Sequence, residues 1–501
     1  MKLNDFPKDI QPLLMPAHTG EMVYRCLGCD AEHEISRLIY TCPSCGDVTL
    51  IYDKSFDLLK KTPGRTWRRI FDYRKMLSKS CFKGIYRYHE FIGPILPEDA
   101  IVYLGEGHTP VIPANDGLRK KAGVSFYFKN DGQNPSASFK DRGMASAMSY
   151  VNYLLMNKSL SNVLALCAST GDTSAAAALY ASYMTPNIKS ATILPHKKVT
   201  PQQLLQPLSS GSTVFEIPGV FDDCMKVVEE LSETHNIILL NSKNPWRILG
   251  QESYSYEIAQ DFEYDMKNKV VVVPIGNAGN ITAIMSGFLK FYDVGIIDAL
   301  PKIIGAQSEH ADPVYRYYLE PDDSKRAFEP VTVKPSVAQA AMIGNPVSMP
   351  RVIKLVKQYN RASGKQNVFF VRVSEQEIMD WELMANRNGH IACTQGGESL
   401  AGLVEAARLK IVEKDEVAIL DSTAHALKFS GFTNQYFQNS FAPEYKITPS
   451  DDLVNHPHLI RPKGIQRMPE AGNPLTGDEF QRFVKKTAEQ IAEFLNLEKR
   501  I

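Results

Sequence analysis

KVVVVPIGNAGNITAIMSGF, residues 269–288, is the stretch that decides the fold class. Val270 to Val273 form an unbroken β-branched run. Such a run suits a strand buried on both faces, as in a parallel sheet covered by helices. It stops at Gly276-Asn277-Ala278-Gly279-Asn280, and a helical apolar pattern follows. The same alternation recurs outward in both directions. Apolar, β-rich segments stand at VSFYFKN (124–130), NVLALCA (162–168), SATILP (190–195), TVFEIP (213–218) and IILLNS (237–242). Further along come KIIGAQ (302–307), NVFFVRV (367–373) and EVAILDS (416–422), with helical stretches between. Strands separated by helices predict an α/β fold with a mostly parallel sheet.

The glycine loop at 276–280 has a chemical reading as well. Glycines let a backbone approach a phosphate, and the helix start behind them offers N–H donors. A plain tight strand–helix turn is the bland alternative. The loop is neither the G-x-G-x-x-G fingerprint nor a P-loop with its lysine, which favours a cofactor monophosphate over a nucleotide.

Three other segments hold polar groups between apolar elements. In NDGQNPSASFKDRGMASAM (130–148), Asn134-Pro135 favours a turn, and Ser138 with Asp141 has the spacing of a capping box. Lys140 then falls in the first helical turn. The helix dipole and burial both lower a lysine pKa there, which suits Schiff-base chemistry. Alone, the segment is equally open to a surface lysine beside Asp141 and Arg142. In NVLALCASTGDTSAAAALYAS (162–182), a strand runs into Ser169-Thr170-Gly171-Asp172-Thr173-Ser174, a turn suited to a carboxylate. In EVAILDSTAHALKFSGF (416–432), a strand ends at Asp421-Ser422-Thr423-Ala424-His425. His425 invites a general-base role, but a histidine in a polar turn is more often structural.

The chain ends differ from this middle. Cys26-x-x-Cys29 and Cys42-x-x-Cys45, each beside Gly or Pro, predict a zinc ribbon. Four cysteine ligands leave no open position, so such a zinc ion is structural. Residues 54–95 carry Trp67, Phe71, Tyr73, Tyr86 and Tyr88 and read as an arm over the main body. Beyond residue 440 the chain turns irregular. A closing amphipathic helix is expected over 475–499, with Thr476 or Asp478 capping it. The resulting division is 1–95 (ribbon and arm), 96–440 (catalytic core of two α/β subdomains) and 441–501 (C-terminal extension).

Bulk properties set bounds. The 501 residues are 44% apolar and 22% charged, with 56 basic and 56 acidic side chains. A net charge of zero gives no global case for nucleic acid or an anionic membrane. No apolar run is long enough to span a bilayer. Eight cysteines do not make a disulfide framework at this length, and the cytoplasm is the expected location.

Seven collinear strings resemble the threonine synthases, most closely their plant-type branch, within the tryptophan-synthase-β-like (type II) pyridoxal phosphate (PLP) enzymes. They are GEGHTP (105–110), NPSASFKDRGM (134–144), CASTGDTSAA (167–176), NSKNPWRILGQES (241–253), IGNAGNITA (275–283), AQAAMIGNPVS (338–348) and STAHALKF (422–429). The likeness spans roughly residues 80–435. It implies the type II fold, with two open, mostly parallel α/β subdomains, and PLP as cofactor. It implies Lys140 as Schiff-base lysine and proton shuttle. Gly276, Asn277, Ala278, Gly279 and Asn280 would cradle the cofactor phosphate, Thr423 would face the pyridine nitrogen, and Asp172 would lie near the ring hydroxyl. Ser169, Thr170 and Thr173 would clamp the substrate carboxylate, and Asn241, Ser242 and Arg247 the substrate phosphate. CTQGGESLAGL (393–403) departs from the family's Cys-Pro-His-Thr-Gly string.

The reaction implied is a carbon–oxygen lyase step of amino-acid biosynthesis. O-phospho-L-homoserine and water become L-threonine and phosphate by γ-elimination and β-hydration, the last step of threonine biosynthesis. Expected partners are that substrate and a second copy of the chain in a homodimer, with no nucleic acid and no membrane. A serine/threonine dehydratase would not need the second phosphate site at Arg247, and a cysteate synthase departs further around the lysine. An inactive scaffold presenting a zinc ribbon is opposed by the intact lysine, glycine loop and Thr423.

Overall fold

The structure is a computed structural model that describes residues 1–169, 171–196, 201–219 and 221–500. In chain order the strands are β1 (Met22–Cys26), β2 (Glu32–Glu34), β3 (Thr49–Asp53), β4 (Val111–Pro113), β5 (Ser125–Asn130), β6 (Val163–Ala168) and β7 (Ile188–Pro195). They continue with β8 (Thr213–Ile217), β9 (Ile237–Leu239), β10 (Lys269–Pro274), β11 (Lys302–Ser308), β12 (Val368–Val373) and β13 (Val417–Ser422). The helices that build the site are α1 (Lys140–Met156), α2 (Asp172–Tyr183), α3 (Pro245–Gln251), α4 (Gly279–Asp293), α5 (Met349–Ser363) and α6 (Thr394–Arg408).

Three sheets result. A small antiparallel sheet runs β2-β1-β3. A larger sheet runs β12-β11-β10-β13-β5-β4, parallel throughout except for β4 against β5. A third, all parallel, runs β8-β7-β6-β9. The expected α/β fold with mostly parallel sheets is what forms, and each of the nine quoted apolar segments contains a strand. β10 shows why its sequence does not alternate. Val271 and Val273 enter one hydrophobic core while Val270 and Val272 enter another, on opposite sheet faces, and all four are fully buried.

Several local expectations fail for identifiable reasons. The capping box at Ser138 does not form. Phe139 occupies the N-cap position of α1 without a side-chain bond, and the Asp141 carboxylate instead accepts from Ser136 N at 2.7 Å. The IILLNS segment stops pairing at Leu239, because the chain turns at Asn241–Asn244. There the Asn244 amide donates back to Leu239 O at 3.0 Å. β4 is a short edge strand closed by a proline, too brief to show as a pattern.

Among the described residues two compact units separate, Met1–Ser450 and Asp451–Ile501. Within the first, the aromatic stretch after the ribbon meets the core. Phe71 stacks on Phe291 at 5.7 Å, and Phe91 meets both Tyr256 and Phe291 edge-on. The second unit holds the helix Gly477–Phe494, preceded by Thr476 with no side-chain cap bond. Phe480, Val484, Ile491 and Phe494 on this helix are exposed. No helix of the described residues is long and apolar enough to cross a membrane.

Candidate active site

The C-terminal ends of parallel strands are where α/β sheets bind ligands. Here β5, β6, β10 and β13 each release a chemistry-bearing loop at that end: the approach to Lys140, Ser169–Asp172, the glycine loop, and Thr423–His425. Two of these loops are tied together by backbone. Phe139 N donates to Thr423 O at 2.8 Å, His425 N donates to Ala137 O at 3.0 Å, and Ser138 bridges Ala424. Ala137 takes a left-handed φ of 64°, strain placed three residues before the lysine.

Lys140 is the first residue of α1, its ammonium 4.1 Å from the Phe139 ring centroid. Burial, reinforced by the Arg247 cation, pushes its pKa down to about 7. Arg247 reaches it because α1 and α3 cross at glycines. A Cβ on Gly143 would meet Arg247 O at 2.9 Å, and one on Gly250 would meet Arg142 O at 2.2 Å. Only glycine permits so close a helix contact. Below the crossing, Arg142 forks onto Asp131 and Glu257, with closest N···O distances of 2.7 and 2.6 Å, and fixes the base of the lysine loop.

Arg247 is itself fully buried. Its Nη1 donates to Leu240 O at 3.0 Å, and its Nε has no partner among the described residues. Burial pushes the guanidinium down to about 10, with no carboxylate acting to restore it. A buried cation left this way is a site for an anion. Ser242 lies in the Asn241–Asn244 turn that precedes α3. Asn241 is closer to a scaffold: its amide donates to Ala168 O at 2.5 Å and accepts from Ala168 N at 3.1 Å.

The glycine loop leads into α4. Ala278 adopts left-handed φ 59° at the N-cap position, and the first N–H groups of α4 follow. A Cβ on Gly276 would meet Ala341 Cα at 2.9 Å, so the loop sits tightly against 340–341. Ser348 N donates to Asn277 O at 3.1 Å. Asn280 Nδ2 donates to Asp421 Oδ2 at 2.5 Å, and burial pushes the Asp421 carboxyl well above its usual range. The Thr423 hydroxyl has the Cys393 thiol at 3.7 Å, and burial pushes that thiol up to about 12, so it stays neutral.

At the clamp, the Ser169 hydroxyl accepts from Gly171 N at 3.1 Å and Thr173 is half-buried in the first turn of α2. Thr170 lies outside the described residues. Asp172 pairs with Lys428 at 2.8 Å, and Lys428 also donates to Ser136 O at 3.0 Å. Gln206 Nε2 donates to the same carbonyl at 3.1 Å. Lys428 thus joins the clamp to the lysine loop, and Gln206 adds a second bond to that loop. Neither stood out in the sequence, since a lysine in a polar turn carries no periodic signal. His425 is structural: its Nδ1 accepts from Leu427 N at 3.2 Å.

These residues fit a PLP cofactor. A half-buried amine with a lowered pKa, a loop against which a side chain would clash, a helix N-terminus and the Thr423 hydroxyl all follow the C-terminal ends of the parallel strands. The ribbon cysteines fit zinc. The four sulfurs of Cys26, Cys29, Cys42 and Cys45 lie within 4.8 Å of one another, with Cys26–Cys45 at 3.3 Å and Cys29–Cys42 at 3.7 Å. A zinc tetrahedron with bonds of about 2.3 Å has edges of about 3.8 Å.

Comparisons with known proteins agree with this chemistry. The family model described as pyridoxal-phosphate dependent enzyme matches residues 102–422. Threonine synthase of Methanocaldococcus jannaschii is 34% identical over 411 residues, 81% of this chain and 93% of that protein. Chloroplastic threonine synthase 2 of Arabidopsis thaliana is 32% identical over 402 residues, 80% of this chain and 75% of that protein. The crystal structure of threonine synthase from Escherichia coli shares the fold, with a TM-score of 0.60 at 17% identity, covering 95% of this chain and 100% of that one.

Proposed function

The chain belongs to the pyridoxal-phosphate dependent enzymes and, among them, to the threonine synthases, and on that premise we propose that its cleft converts O-phospho-L-homoserine and water to L-threonine and phosphate. One observation carries the reading most strongly. A fully buried Arg247 with no carboxylate partner acts on a half-buried Lys140, in a site that already has a glycine loop for one phosphate. A buried guanidinium without a carboxylate calls for an anion, and a second phosphate site is what an unphosphorylated substrate would not need.

Bound PLP supplies an electron sink that acidifies the substrate's carbon-bound protons. The chain's own residues do the rest. Gly276, Asn277, Ala278, Gly279 and Asn280, with the α4 N-terminus, would take the cofactor phosphate. Thr423 would oppose the ring nitrogen with a neutral hydroxyl, and Asp172, held by Lys428, would lie near the ring hydroxyl. Ser169, Thr170 and Thr173, with free N–H groups of α2, would fix the α-carboxylate. Ser242 and Arg247 would hold the γ-phosphate as it leaves, with Asn241 shaping the strand end beneath them. Lys140, with its pKa near 7, can be neutral enough to take a proton at Cα and charged enough to return it.

Cys26, Cys29, Cys42 and Cys45 would hold zinc as a structural ion that takes no part in the chemistry. All eight cysteines are unpaired, which supports a reducing compartment such as the cytoplasm. A homodimer is supported by the family resemblance. The test of the reading is product analysis with O-phosphohomoserine. Threonine and phosphate should appear in equal amounts. A 2-oxo acid in place of threonine, or equal turnover of unphosphorylated L-serine, would overturn it in favour of a dehydratase.

A further inference from the structure

Arg351 lies in the first turn of α5 and is fully buried. All its N–H donors go to oxygen acceptors, none of them a carboxylate. Nε and Nη2 donate to Thr49 O at 3.1 and 2.7 Å, and Nη2 also to Lys243 O at 3.0 Å. Nη1 donates to Ser242 O and to Ser348 Oγ, both at 3.0 Å. These acceptors belong to three different parts. Thr49 opens the ribbon strand β3. Ser242 and Lys243 form the turn from which α3 and Arg247 start. Ser348 donates its N–H to Asn277 O in the glycine loop at 3.1 Å.

The same three parts meet through apolar contacts. Leu50 of β3 packs with Ile248 of α3 and Ala283 of α4. Trp246 donates to the ribbon's Tyr24 hydroxyl at 3.1 Å while its ring stacks on Tyr150 at 4.1 Å. The Tyr40 hydroxyl accepts from Leu239 N at 3.0 Å, at the strand end before the turn. So α3 offers Arg247 to the cleft and Trp246 and Ile248 to the ribbon.

We propose that Arg351 is a positioning residue that couples the four-cysteine ribbon to the substrate-phosphate subsite, so that a closed, metal-loaded ribbon sets the grip of Ser242 and Arg247 on phosphate. This rests on the reading of Ser242 and Arg247 as that subsite. Opening the ribbon releases Thr49 O, the guanidinium loses two of its bonds, and the turn at Ser242–Lys243 loses its pin. A lysine cannot replace the fork, because its three donors radiate from one atom.

The test uses holoenzyme: wild type, Arg351→Gln, Arg351→Lys, the ribbon variant Cys29→Ser, and the double variant with Arg351→Gln. Inorganic phosphate binding is measured by equilibrium dialysis, beside KM, kcat, cofactor absorbance and melting temperature. Each single variant should weaken phosphate binding and raise KM by about tenfold, with kcat within about threefold and cofactor retained. The double variant should be little worse than Arg351→Gln alone, the non-additivity that marks coupling. Lower melting temperature with unchanged phosphate affinity, or effects that multiply, would overturn the proposal. If Arg351→Gln does not fold, unchanged phosphate affinity in both Arg351→Lys and Cys29→Ser overturns it equally. A wild type that binds phosphate yet makes no threonine would sink the activity and leave the coupling to be judged on the dialysis alone.

Discussion

At the scale of the residue, the account turns on two basic groups, Arg247 and the Lys140 that it depresses. Burial and Arg247 hold Lys140 at about 7, against an ordinary lysine value of 10.5. The folded chain therefore binds this proton more weakly than the unfolded one. Its cofactor-free form should gain stability as pH rises from about 7 towards 10.5. The same shift predicts that cofactor uptake by the cofactor-free protein, followed by absorbance, accelerates through pH about 7 and then levels off. In Arg247→Gln the like charge is gone, so the midpoint should move to higher pH. An unmoved midpoint would mean that the two groups do not interact. The same variant should raise KM for O-phosphohomoserine by roughly tens of times in steady-state assays, because a bidentate charged contact is lost. Unchanged KM would place the substrate phosphate elsewhere.

At the scale of the element, a helix crossing sets the distance between those two cations. Gly250→Ala puts a Cβ 2.2 Å from Arg142 O, which is backbone and must shift. Overpacking of this kind costs about 1–3 kcal/mol, so a lower melting temperature and a loss of about tenfold in kcat/KM are expected. A fully active, equally stable variant would show that the crossing tolerates separation. The strands were legible in the sequence because burial on both faces leaves an unbroken apolar run, as in Val270–Val273. The starts of helices were less so. Ser138 and Asp141 have capping-box spacing, yet Asp141 turns back to Ser136 N, because Ser138 is already drawn into its bridge with Ala424. A contact between residues so far apart in sequence leaves no trace in local spacing.

At the scale of the whole molecule, the ribbon is built into the fold that carries the cleft. Its cysteines were readable from spacing alone. Its bond to the cleft was not, since Arg351 in SMPRV reads as a surface cation and only the folded chain surrounds it with Thr49, Ser242, Lys243 and Ser348. Lys428 was hidden for the same reason. Elemental analysis of gently purified protein should find about one zinc per chain, and chelation should lower its melting temperature; less than about half an equivalent would count against a metal ribbon. The sheets, the glycine loop and both cations converge on one reaction, and a single assay tests it most directly. Phosphate release from O-phospho-L-homoserine is measured for wild type and Lys140→Ala side by side. The account predicts steady release by the wild type and a fall of at least about 10³-fold in the variant, since the proton carrier is gone. No release by the wild type, or equal release by both, would contradict it.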